Sequence, residues 1–96
     1  MIVVLGHYPA YLELGAELGA TVFDVPTNVW MQMGPAEQWA ANRAFLDDAI
    51  SQGARFVLAT PPDRVRPGSH FELELEYITL AGYRLRRHAT GWEFVR

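Results

Sequence analysis

The sequence predicts a small α/β domain: a mainly parallel sheet with helices on both faces, Rossmann- or flavodoxin-like, ending in a C-terminal β-hairpin. Three observations lead there. Short apolar or β-branched runs alternate with helical segments, which implies strands joined by right-handed crossovers. Gly or Pro marks nearly every change of element. The 96 residues suffice for one domain, residues 1–96, and their 50% apolar and 20% charged content is globular.

The elements follow in chain order. Met1–Gly6 is a continuous apolar run ending in Gly, as in a buried strand. Pro9 opens a helix that Gly19 stops after Leu18. Residues 20–25 (ATVFDV) read as a second strand, closed by Pro26. Residues 27–34 fit either a loop or one helical turn. Pro35 opens a long helix to about Gln52, with Trp39, Leu46, Ala49 and Ile50 as its apolar stripe. Residues 55–60 form a third strand, and 61–68 (PPDRVRPG) a loop. After Gly82, Tyr83–His88 and Trp92–Val95 form a hairpin around Ala89-Thr90-Gly91.

Residues 66–77 (RPGSHFELELEY) alternate apolar and charged letters, which would suit a strand. Helix is nevertheless predicted over 69–81. Leu and Glu are good helix formers, Ser69-x-x-Glu72 is a capping box, and the parallel sheet needs a crossover here. On a wheel of about 100° per residue, Glu72 and Glu76 fall on the wet arc and Glu74 inside the apolar one. Glu72 serves the helix start. Glu74 either escapes to water at the helix edge or needs a partner such as Arg64, Arg66 or a backbone amide.

Composition removes several function classes. Without cysteine, disulfides and thiolate metal sites are excluded. His7, His70 and His88 lack metal-ligand spacing, so no metal and no cofactor is implied. No apolar run is long enough for a membrane span and Met1–Leu5 lacks a basic leader, so no membrane association is expected and the cytoplasm is the default location. The net charge of −3 argues against a general nucleic-acid surface, although six of the eight arginines follow residue 63.

In a parallel α/β sheet, ligands bind beyond the carboxyl ends of the strands. That directs attention to Gly6-His7-Tyr8, to 24–28, and to the loop from Thr60 to Ser69. The stretch RFVLATPPDRVRPGSHFELELEYITLAGYRL resembles the last strand–loop–helix–strand unit of the nucleoside 2-deoxyribosyltransferase-like superfamily, on Gly68, Ser69 and Glu72. VVLGHYPAYLELGAELGATVFDVP is similar to that family's first unit. A fainter similarity, in WAANRAFLDDAI, LATPPDRVRPGS and ELEY, is to C-terminal toxin domains of bacterial polymorphic toxins.

The first resemblance implies an enzyme that cleaves or transfers the N-glycosidic bond of a nucleoside or nucleotide through a carboxylate. Glu72 takes that role by the match. Asp63 would assist the leaving base, Asp24 and Asp63 are the candidates for the family's acid at the end of a middle strand, and Tyr8 and Tyr11 would contact base or sugar. Gly68 and Ser69, with Arg64 and Arg66, would bind a 5′-phosphate at the helix start. His7 and Glu74 complete the candidate set. The second resemblance implies an effector domain, a nuclease or NAD-consuming, with an immunity protein as partner and Arg64, Arg66, Arg84, Arg86 and Arg87 on RNA. The third alternative is a non-enzymatic binding or assembly module, for which a homodimer would be the natural form.

Overall fold

The computed structural model describes residues 1–88 and 91–96. Four strands, β1 (Ile2–Leu5), β2 (Arg55–Leu58), β3 (Arg84–His88) and β4 (Gly91–Val95), form one sheet in the order β1-β2-β4-β3. The helices are α1 (Ala10–Leu18), the single turn α2 (Thr27–Trp30), α3 (Pro35–Ser51) and α4 (His70–Leu80). A 3₁₀ turn occupies Pro62–Arg64 inside the proline-rich loop. The hairpin strands pair antiparallel as expected; Ala89 and Thr90 of the expected turn lie outside the described residues.

The sheet is mixed, which corrects the expectation of a mainly parallel Rossmann- or flavodoxin-like sheet. Only β1 and β2 pair as parallel strands; β4 is antiparallel to both β2 and β3. Two physical reasons account for the difference. The first is that α4 does return β3 in the direction of β2, but β4 inserts between them. Trp92 and Phe94 of β4 pack on the core, while Arg84, Leu85, Arg86 and Arg87 of β3 are exposed. The apolar strand therefore takes the centre and the arginine-rich strand the edge, where charge discourages further pairing.

The second reason lies in residues 20–25. They make one parallel bridge, Thr21 to Val3, and then leave the sheet. Val22 packs over Gly15, so closely that a β-carbon there would come within 2.3 Å of Val22 Cγ1. Phe23 turns to the rings of Trp30 and Phe45, at 5.8 and 5.4 Å between centroids. The β-branched, aromatic run is spent on helix packing and a cavity wall.

The core lies between one sheet face and the α3–α4 pair. Val3, Leu5, Phe56, Leu58 and Phe94 meet Leu46, Ala49, Phe71 and Ile78. Tyr83 is enclosed beside Phe56 and donates to the Ala54 carbonyl at 2.7 Å. On the opposite face, Leu14 and Leu18 of α1 lie with Ile2 and Val57 around a shallow hollow. Beside them Glu93 is 3% exposed, paired with Arg55 at 3.2 Å and with Arg86. Arg87, on the other side of β3, lies over the Trp92 ring. Among the described residues, no helix is long and apolar enough to cross a membrane.

Helix α4 forms with the hydroxyl half of the expected capping box, while the Glu72 carboxylate reaches one residue further back, to Gly68, instead of to the Ser69 N–H. The Ser69 hydroxyl accepts from the Glu72 N–H at 3.2 Å, and the Glu72 carboxylate accepts from the Gly68 N–H at 3.0 Å. Gly68 has φ of 77°, which a side chain rarely adopts. The wheel places Glu74 inward and Glu76 outward, and the structure agrees: Glu74 is 6% exposed and Glu76 lies in solvent.

Candidate functional site

Helices α3 and α4 each carry a polar residue where their apolar stripes cross. On α3, Asn42 falls three residues after Trp39 and four before Leu46; on α4, Glu74 falls three after Phe71 and four before Ile78. That spacing puts all six on inward-facing arcs. The two polar residues meet: Asn42 Nδ2 donates to Glu74 Oε2 at 2.9 Å. Asn42 is 1% exposed, so both groups are almost wholly withdrawn from water.

Burial pushes the Glu74 carboxyl up from 4.5 to about 7, and the Asn42 hydrogen bond opposes the shift without cancelling it. An unpaired carboxylate is costly in such a place, so the group gives up its proton only at higher pH than an ordinary carboxyl. Oε1 has no protein hydrogen bond among the described residues, and the residue lines a cavity of about 650 Å³.

The cavity opens beyond the carboxyl end of β1. Gly6, His7 and Tyr8 form one rim, α1 contributes Tyr11 and Leu12, and the departed strand contributes Phe23, Asp24 and Val25. Thr27 and Trp30 of α2 close one side, and Ser69, His70 and Phe71 of the α4 start the other. The aromatic walls are tied together: Trp30 stands edge-on to His70 at 5.2 Å, and Tyr8 to Tyr11 at 6.5 Å. Burial raises the Tyr11 hydroxyl pKa, with Glu74, then Asp24, then Tyr8 adding to it. Tyr11 thus lies within reach of both carboxylates. Among the described residues, His70 Nδ1 is enclosed without a hydrogen-bond partner.

The candidates named from sequence divide into two groups. His7, Tyr8, Tyr11, Ser69 and Glu74 line the cavity. Glu72, Asp63, Arg64, Arg66 and Gly68 do not. The Glu72 carboxylate is engaged with Gly68, and Asp63, Arg64 and Arg66 are exposed on the loop. His7 Nε2 accepts from the backbone N–H of Arg66 at 3.1 Å, so this imidazole ties the loop to the rim. Glu74 finds its partner in Asn42, not in Arg64, Arg66 or a backbone amide. Arg84 and Arg86 share one face of β3 while Arg87 takes the other, so that strand presents no single basic face.

Sequence reasoning left Asn42 unselected and did not name His70 or Phe23 for the site. The signal for Asn42 was present: a polar residue standing in the apolar stripe of a helix. Asp24 was legible only as an acid at a strand end. Among the described residues, no group of three His, Asp or Glu side chains is arranged to hold a metal. No family model, curated protein or solved structure matches this chain.

Proposed function

We propose that the protein is a small enzyme that cleaves or transfers the N-glycosidic bond of a nucleoside-like substrate, with Glu74 rather than Glu72 as the working carboxyl. The observation that carries the reading is a buried acid, its pKa about 7, in the wall of an aromatic-lined cavity. A carboxyl whose pKa lies near neutral pH suits a general acid. Glu72 has a complete structural role in the helix cap and does not line the cavity.

The chemistry balances with these groups. Tyr8, Tyr11, Phe23 and Trp30 offer faces or edges against which a base can pack. As the bond from the anomeric carbon to the base nitrogen breaks, its electron pair stays on nitrogen and Glu74 supplies the proton. The Asp24 carboxylate favours the positive charge developing on the sugar. Water, or the hydroxyl or nitrogen of an acceptor, adds to the anomeric carbon and returns a proton to Glu74. The Asn42 amide holds Oε2, which leaves Oε1 to carry the proton toward the cavity.

Incubation with a panel of nucleosides, nucleotides and NAD, followed by chromatography for free base, tests the proposal. Release is expected to fall about 100-fold or more in Glu74→Gln and to persist in Glu72→Gln. The rate should also decline as pH rises through about 7, as Glu74 loses its proton. No base released from any substrate, or unchanged release in Glu74→Gln, refutes it.

A further inference from the structure

Resting on that reading of the cavity, we infer that the site selects its ligand by charge: it takes a ring-bearing molecule that is neutral or cationic and turns away the phosphorylated form. Three independent features lead there. The exposed acid Asp24 lines the cavity, and among the described residues no Arg or Lys does. Its walls include Tyr8, Tyr11, Phe23 and Trp30, whose ring faces attract cations. The third feature is the start of α4, the place in this architecture where a phosphate would find free backbone amides.

That helix start already carries an anion of its own. The Glu72 carboxylate sits on the Gly68 N–H, and the Ser69 hydroxyl is committed to the Glu72 N–H and the Arg66 carbonyl. The Ser69 N–H is spent on the Arg66 carbonyl as well. A phosphate reaching for the Gly68 and Ser69 amides would have to displace a carboxylate and a carbonyl held by the chain itself. Arg64 and Arg66, the cations nearest in sequence, are exposed and outside the cavity lining. The sequence resemblance implies a 5′-phosphate site at Gly68 and Ser69; the hydrogen bonds of the cap argue for the opposite preference.

Isothermal titration with purine and pyrimidine nucleosides, their 5′-monophosphates and phenethylammonium tests the inference. At least one nucleoside or the ammonium should bind about tenfold or more tighter than any monophosphate. Asp24→Asn, a change at an exposed position, should narrow the gap, and Glu72→Ala should narrow it further by freeing the helix start. Monophosphates that bind the unaltered protein as tightly as nucleosides overturn charge selection and leave the N-glycosidic reading standing on base release. Binding of the ammonium without any nucleoside upholds charge selection and removes the N-glycosidic reading. No binding by any of the three overturns both.

Discussion

Two glutamates in this small protein are withdrawn from water to nearly the same degree and live opposite lives. Glu93, on the α1 side of the sheet, lies between the guanidinium groups of Arg55 and Arg86. Glu74, at the α3–α4 crossing, has one neutral amide for company. The arginines balance the charge of Glu93 and satisfy its oxygens, which makes it a cross-strand clamp. Asn42 can hold a Glu74 oxygen in place but brings no charge, so burial dominates and lifts the carboxyl to about 7. Burial alone therefore does not mark a functional acid. What separates Glu74 from Glu93 is burial without a compensating cation among the described residues, at the wall of a cavity.

The comparison can be broken most forcefully at Glu74. A carboxyl whose folded pKa lies above its unfolded value stabilises the fold fully below the unfolded pKa, and that contribution is lost as pH rises through the folded one. Here the window runs from 4.5 to about 7, and stability falls across it. Glu74→Gln keeps the shape and an acceptor for Asn42 and removes the titration. Urea denaturation should show the variant more stable than the parent at pH 8, by about 3 kcal/mol at most, with a flatter profile between those limits.

Glu93→Gln should act with the opposite sign. It leaves two guanidiniums facing a neutral amide and should cost about 1–2 kcal/mol at pH 8 in the same measurement. Equal effects of the two substitutions would remove the distinction between the sites. Tyr83→Phe supplies an uncharged standard: loss of the hydrogen bond to Ala54 should cost about 1 kcal/mol, with no dependence on salt. Arg86→Ala should have the smallest effect. Its side chain is 58% exposed and Arg55 remains, so the loss should stay below about 1 kcal/mol and shrink as salt is added.

Local signals in the sequence were dependable where they were complete within a few residues. The capping box placed α4 against an alternating pattern that suggested a strand, and the wheel separated Glu74 from Glu76. Gly19 and Pro35 bounded α1 and α3 because left-handed caps and first-turn prolines act locally. The sheet order failed because it is a competition between distant segments. RLRRH and WEFV are both acceptable strands, and which one is central depends on what each can bury against β2. Residues 20–25 failed similarly, since their preference for a strand yielded to Gly15, Trp30 and Phe45. The site was half legible: its rim at His7, Tyr8 and Tyr11 follows from strand ends. The pairing of Asn42 with Glu74 spans 32 residues and needs the helix crossing to be known.

The place of β4 between β2 and β3 bears on the order in which the fold can be assembled. Strand β3 precedes β4 in the chain, yet it makes no ladder with β2 and has β4 as its sheet neighbour. A chain emerging from its N-terminus can form β1, β2 and the helices over them while β3 still lacks a hydrogen-bonding edge. The five residues Gly91–Val95 then complete two ladders at once, one on each side. Half of the sheet is thus conditional on its last strand, and closure joins segments far apart in sequence, the kind of contact that slows folding.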